Sequence, residues 1–201
     1  MRPAALAGSV LSVAVLLTGC DHDEKTAGCG VDVNTAELRD LKADAAMADC
    51  PSGDGRADLP DVELACLGGG SAGSLKDIEG PAILNFWASN CTPCVDEMPA
   101  LEEFHQRYGD QVPVIGVDFL DTYPGAALDL AKRTGATYPS YADPCGDLEH
   151  TDLAILGLPT FVFVREDGST KIASPGGLDS LDQVVALAED NLDLKLERSP
   201  A

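Results

Sequence analysis

Hydrophobic residues follow two different spacings along this chain, and the change from one to the other separates predicted strands from predicted helices. The nearly continuous apolar run at residues 81–87 is typical of a central strand buried on both faces. From residue 94 to residue 108, apolar side chains recur at helical spacing, which predicts a helix directly after that strand. The remaining pattern predicts, in order, a strand at 112–119, a helix at 125–134, a short strand at 138–142, a short helix at 146–153, a strand at 160–165, a hairpin turn at Asp167 and Gly168, a returning strand at 169–173 and a closing helix at 179–191.

This order of elements predicts an α/β fold with a mixed central sheet flanked by helices. The compact part spans residues 59–195, which suits a single domain with one core. Residues 20–58 are polar and rich in small residues, so we predict an N-terminal tether that is partly structured, with one short helix at 35–47.

Residues 1–19 carry the pattern of an export signal, with Arg2 followed by an apolar stretch at 4–17 and then small residues. That stretch is too short to span a bilayer, which takes roughly 20 residues. The sequence ending in Cys20 resembles the lipobox of bacterial lipoproteins, which implies acylation of Cys20 and, through two acyl chains, stable anchoring. The expected location is therefore extracytoplasmic, on the cell membrane, as a lipoprotein. The alternative is a secretory signal cleaved elsewhere, with Cys20 a spare thiol.

The chain has seven cysteines, and consumption of Cys20 by lipid leaves six. An even number in an exported chain indicates disulfides. Cys91 and Cys94 form a CxxC pair by their spacing. The other four are Cys29, Cys50, Cys66 and Cys145. Three connectivities stay open for them, although a disulfide between Cys50 and Cys66 would close the shortest loop.

Acidic residues outnumber basic ones by 34 to 13, which gives a formal net charge of -21. A negative surface repels phosphate backbones and argues against nucleic-acid binding. It also cannot bind anionic lipid by charge, so the membrane anchor must be the acyl chains.

The CxxC pair lies where the predicted buried strand gives way to a helix. Unpaired N–H groups and the helix dipole stabilise a thiolate there, so Cys91 is the predicted nucleophile and Cys94, one turn inward, its partner. A zinc site would need two further ligands, and the downstream candidates Cys145 and His150 lack a second tight pair. The three histidines suggest neither a metal site nor a triad, and each is expected at the surface: His22, His105 and His150.

A wider set of residues resembles the TlpA/ResA-type branch of the thioredoxin superfamily. The resemblance covers residues 59–191 and rests on the segment 85–99, which contains the CxxC, and on Gly157-Leu-Pro159-Thr downstream. It implies a thioredoxin-like fold with a TlpA-type insertion at 123–142. It also implies that Cys91 attacks, that Cys94 resolves, and that Pro159 is a cis-proline beside them.

The resemblance assigns further roles near the cysteines. Glu97 matches an acidic residue that tunes or relays a proton to Cys94, the alternative being a solvated glutamate in the first helical turn. Asn85 stands where thioredoxin keeps a buried aspartate, and Pro99 would kink the helix. The residue before Cys91 is Asn90 instead of the usual tryptophan, which predicts less apolar recognition surface.

The resulting functional prediction is an enzyme that reduces protein disulfides by thiol-disulfide exchange and needs no metal or other cofactor. The resemblance implies recycling by a transmembrane thiol reductase of the CcdA/DsbD kind and apocytochrome c as a client. The alternatives are oxidation of exported clients and a non-catalytic module in which the CxxC holds copper(I). A peroxidase would need a peroxidatic cysteine with a distant resolving partner, which the CxxC does not provide.

Overall fold

The computed structural model describes residues 29–197. The predicted signal peptide, Cys20 and His22 therefore lie outside the described residues. Within them, the chain forms seven strands and four α-helices, with two short 3-10 helices at Leu75–Asp77 and Asp147–His150. In chain order, the elements are α1 Ala36–Asp44, β1 Glu63–Cys66, β2 Gly73–Ser74, β3 Ala82–Trp87, α2 Thr92–Tyr108, β4 Val114–Phe119, α3 Pro124–Thr134, β5 Ser140–Asp143, β6 Thr160–Val164, β7 Thr170–Ala173 and α4 Leu181–Leu192.

The strands form one mixed sheet in the order β2-β1-β5-β4-β3-β6-β7. The three central strands β3, β4 and β5 are parallel, and the strands on either side of them pair antiparallel. The carboxyl ends of β3, β4 and β5 therefore meet at one edge, which we call the active-site edge. Because β6 runs antiparallel to β3 and pairs Phe86 with Thr160, β6 begins at that same edge.

The helices cover one face of the sheet. The connections β3-α2-β4 and β4-α3-β5 both step in the same direction along the sheet, so right-handed crossovers place α2 and α3 on the same side. The core under these helices contains large side chains that are completely buried, among them Trp87, Met98 and Phe104. The other face is covered by the 3-10 helices and loops, through Leu75 and Leu148.

The segment that precedes the sheet packs onto it. The hydroxyl of Thr35 accepts a hydrogen bond from the Leu38 N–H at 3.2 Å and caps α1, as expected for an N-cap threonine. Val33, Leu38 and Met47 are buried in the core beneath the helices. The part of the predicted tether that the structure describes thus contributes to the hydrophobic core. Among residues 29–197, no helix is long and apolar enough to cross a membrane.

Two disulfides join this segment to the sheet. Cys50 bonds to Cys66 on β1, and both are buried. Cys29 bonds to Cys145 after β5, where Cys29 is exposed. Of the three connectivities that the sequence left open, the structure has the one that includes the shortest loop.

Candidate active site

Cys91 and Cys94 are joined by a disulfide at the start of α2. Cys91 is the N-cap residue, and its Sγ accepts a hydrogen bond from the Cys94 N–H at 3.3 Å. The helix therefore provides its sulfur with an N–H group and with the positive end of the dipole, which favours a thiolate. Cys91 is half-buried, whereas Cys94 is 0% exposed. Of the two sulfurs of the CxxC pair, only that of Cys91 can be reached by another protein.

Glu97 lies one turn beyond Cys94 on α2 and is 0% exposed. Its Oε1 accepts a hydrogen bond from Asn85 Nδ2 at 2.9 Å, while its Oε2 has no hydrogen-bond partner among the described residues. Burial raises the pKa of Glu97 to about 8, against the opposing effect of the Asn85 hydrogen bond. Glu97 is thus not a solvated residue of the first turn. Its spacing of three from Cys94 places the two Cβ atoms roughly 5–6 Å apart.

Asp118 is a second buried carboxyl group on the same face of the sheet. It is 1% exposed, pairs in register with Trp87, and neither carboxyl oxygen has a hydrogen-bond partner in the part of the chain described. Burial, followed by the neighbouring Asp121, raises the pKa of Asp118 well above its usual range. Asp121 in turn accepts hydrogen bonds from the N–H groups of Ser89 at 2.7 Å and Tyr123 at 2.9 Å. Asp121 therefore connects the loop before Cys91 to the start of α3.

Sequence reasoning missed Asp118 and also Tyr138, whose buried hydroxyl lacks a partner within residues 29–197. Burial and the carboxylates of Glu97 and Glu102 raise the pKa of Tyr138 above its usual range. The signal for Asp118 was present in the sequence, since a single acidic residue interrupts the apolar strand predicted at 112–119. Tyr138 gave no such signal, because a tyrosine in a predicted strand is ordinary.

The loop before β6 brings Pro159 to the active-site edge. The Leu158–Pro159 peptide bond is cis, Pro159 is buried and Leu158 is half-buried. The Thr160 hydroxyl donates to the Gly157 carbonyl at 2.7 Å and holds the loop in place. Pro99, the other proline of the quoted segment, lies inside α2.

The remaining candidate ligands are not assembled at the CxxC. Cys145 is bonded to Cys29, so it is not free to complete a zinc site. Among residues 29–197, no group of three or more His, Cys, Asp and Glu side chains is placed to hold a metal ion. His150 is exposed, as expected. The expectation for His105 was wrong: its ring is half-buried, 6.0 Å from the Tyr138 ring, and burial lowers its pKa.

Comparison with known proteins supports the thioredoxin-like character of this fold and site. The thioredoxin-like protein YneN of Bacillus subtilis is 33% identical over 112 residues, which cover 54% of this chain and 64% of YneN. The thiol-disulfide oxidoreductase ResA of Bacillus thuringiensis is 32% identical over 96 residues, which cover 47% of this chain and 54% of ResA. The chain thus spans less than two thirds of the length of these curated relatives.

A solved structure of a secreted thiol-disulfide isomerase from Corynebacterium glutamicum has the same fold, with a TM-score of 0.57 at 24% identity, and the match covers 68% of this chain and 86% of that one. The model of the AhpC/TSA family matches residues 56–171. Because this match covers more than half of the chain, the protein belongs to the AhpC/TSA family, and its fold is thioredoxin-like.

Proposed function

We propose that this protein is an extracytoplasmic thiol-disulfide oxidoreductase that reduces disulfides in client proteins. The observation that carries the proposal is the asymmetry of its cysteine pair. Cys91 is accessible at a helix N-terminus, while Cys94 is 0% exposed and lies one turn from the buried Glu97. This arrangement suits a nucleophile and a shielded resolving thiol.

The exchange proceeds in two steps. In the first, the Cys91 thiolate attacks one sulfur of a client disulfide, which forms a Cys91–client disulfide and releases the other client sulfur as a thiolate. In the second, the Cys94 thiolate attacks Cys91 Sγ, releases the client and closes the internal disulfide. Two electrons pass from the protein dithiol to the client, so each cycle consumes one reduced pair.

Glu97 serves the second step. Cys94 must lose its proton before it attacks, and its burial removes it from bulk solvent. Burial raises the pKa of Glu97 to about 8, so this carboxylate is a much stronger base than an ordinary glutamate and can take the Cys94 proton near that pH. Asn85 holds the carboxyl in place through its hydrogen bond to Oε1.

The partners follow from the chemistry and from the family resemblance. The oxidised pair must be reduced again by a dithiol donor on the same side of the membrane, and we assign this role to a transmembrane reductase of the CcdA/DsbD kind. As client we propose apocytochrome c, whose haem-binding cysteines must be reduced before ligation. The relatives named ResA, thiol-disulfide oxidoreductases, support the exchange chemistry.

The reduction potential of the Cys91–Cys94 pair tests the direction of the exchange. We expect a value at or below about -250 mV, near that of thioredoxin, when the protein is equilibrated with glutathione or dithiothreitol buffers. The measurement uses thiol alkylation followed by mass spectrometry. A value near about -120 mV would instead identify an oxidant of exported proteins.

The anchor at Cys20 is a separate part of the proposal and has its own test. Cys20→Ser should release the protein from the membrane fraction of the producing cell, because the acyl chains are the proposed attachment. The exchange activity of the released protein should equal that of the detergent-extracted parent. Membrane retention of the variant at the parental level contradicts the lipoprotein assignment and leaves the exchange chemistry untouched.

A further inference from the structure

Large hydrophobic side chains are concentrated at the active-site edge. Among residues 29–197, four large hydrophobic residues are exposed, and three of them belong to loops at this edge: Leu120 at 45%, Tyr123 at 70% and Leu156 at 95%. Leu120 and Tyr123 follow β4, and Leu156 precedes Pro159. We call these three residues the apolar rim. The fourth, Ile172, lies on the edge strand β7.

The apolar rim is connected to the CxxC by specific contacts. Asp121, between Leu120 and Tyr123, accepts a hydrogen bond from Ser89 N–H two residues before Cys91. Leu120 rests against Gly146 so closely that a Cβ on that glycine would lie 2.6 Å from Leu120 Cδ2. The fold thus supplies apolar surface from neighbouring loops, although Asn90 beside Cys91 is polar.

Leu120 also has a backbone conformation that needs a reason. Its φ is +56°, a left-handed value that is uncommon and energetically unfavourable for a bulky residue. Its side chain is 45% exposed, so burial does not compensate fully for this cost. Strained residues of this kind cluster at binding sites, where the conformation positions a side chain for a partner.

The charge at this edge has one sign. Five segments form the edge: 88–96, 119–125, 144–149, 154–159 and 174–180. Together they contain five acidic residues and neither lysine nor arginine: Asp96, Asp121, Asp147, Glu149 and Asp179. Low-dielectric apolar surface surrounded by such charges attracts cationic partners and repels anionic ones.

From these observations we propose that the apolar rim and its acidic surroundings form a docking surface for an extended, cysteine-containing segment of a client polypeptide that carries apolar side chains and a net positive charge. The proposal rests on the proposed exchange function and names the class of substrate. Clients whose cysteines are flanked by acidic residues are disfavoured by like-charge repulsion.

The test compares two synthetic peptides that contain the same internal disulfide, one flanked by Leu and Arg and the other by Leu and Glu. The reduced protein is mixed with each peptide, and with a small aromatic disulfide as a reference, and second-order rate constants are measured at low and high salt. At low salt we expect the basic peptide to react at least about tenfold faster than the acidic one. The difference should shrink severalfold in ~1 M salt, where the screening length is about 3 Å.

Matched variants separate the two components of the surface. Tyr123→Ser and Leu156→Ser should each lower the ratio of the peptide rate to the small-disulfide rate by roughly three- to tenfold, whereas Ile172→Ser should leave that ratio unchanged. The double variant Asp147→Asn with Glu149→Gln should reduce the preference for the basic peptide. The control double variant, Asp54→Asn with Glu166→Gln at the opposite edge of the sheet, should leave that preference unchanged.

The outcomes distinguish the docking proposal from the function on which it rests. Equal rates for the two peptides, with reaction of the small disulfide intact, overturn the docking surface and leave the exchange activity standing. Failure of all three disulfides to react overturns the proposed function itself. The peptide comparison uses the unaltered protein, so it stays decisive if a variant fails to fold.

Discussion

Cys91→Ser is expected to abolish disulfide exchange, with a loss on the order of a thousandfold or more, because no other thiol among residues 29–197 can replace it. The described part of the chain holds its other cysteines in disulfides, and Cys94 is 0% exposed. The substitution removes a half-buried sulfur at the helix N-cap, and serine is itself a good N-cap residue, so the fold should be preserved. The measurement is the rate of peptide-disulfide reduction, with circular dichroism as a check of folding.

Cys94→Ser should behave differently. Cys91 can still attack, but nothing closes the internal disulfide, so clients should accumulate as mixed disulfides with Cys91. Non-reducing gels and mass spectrometry of the captured proteins would reveal these adducts, and Cys91→Ser in the same cells is the matched control. Recovery of haem-binding apocytochromes supports the reductive role, and recovery of diverse exported proteins supports the oxidative one. Equal capture by both variants, or none by either, contradicts the assignment of Cys91 as nucleophile.

The sequence predicted the part of the site that depends on local order. One run of consecutive residues contains the predicted strand 81–87, the CxxC and the helix that follows it. The structure places β3 at Ala82–Trp87 and α2 at Thr92–Tyr108. Several of the predicted elements later in the chain also appear within a few residues of their expected bounds. The short helix predicted at 146–153 is a 3-10 helix at Asp147–His150, bounded by the left-handed Gly146.

Features that depend on distant contacts could not be predicted in the same way. β1 has four residues and pairs with β5, so Ala65 meets Ala142 across a long stretch of sequence. A segment this short has too few alternating positions to separate it from a loop. For Asp118 the sequence shows an acidic residue that interrupts an apolar strand, but its burial depends on the sheet register rather than on its neighbours in sequence.

The apolar rim shows a similar limit. Leu156 stands in a run of apolar residues before Pro159, a pattern that is equally compatible with a buried segment, yet it is 95% exposed. Leu120 is exposed and has a left-handed backbone conformation, which the sequence does not indicate for a leucine.

The two buried carboxyl groups lead to a paired test of stability and activity. The folded-state pKa of Glu97 is raised from 4.5 to about 8 by burial. Between those two pH values the unfolded chain releases the proton while the folded chain keeps it, so the free energy of unfolding should fall as pH rises from 4.5 to 8. Glu97→Gln removes this fall in the free energy of unfolding. The variant should therefore be more stable than the parent above pH 8 by on the order of a few kcal/mol, measured by urea unfolding.

Glutamine also reproduces the protonated carboxyl, since it can accept the Asn85 hydrogen bond but cannot exchange a proton with Cys94. In the unaltered protein, closure of the mixed disulfide should accelerate as Glu97 loses its proton near pH 8. In Glu97→Gln that acceleration should be lost, with closure at least about tenfold slower above pH 8 in stopped-flow measurements. Asp118→Asn is the matched control, because burial raises the pKa of that carboxyl too, but Asp118 lies on β4 rather than on the helix with Cys94. Asp118→Asn should stabilise the protein at neutral pH and keep the titration of closure near pH 8. Superimposable pH profiles of closure for Glu97→Gln and the parent would leave Glu97 with a structural role only.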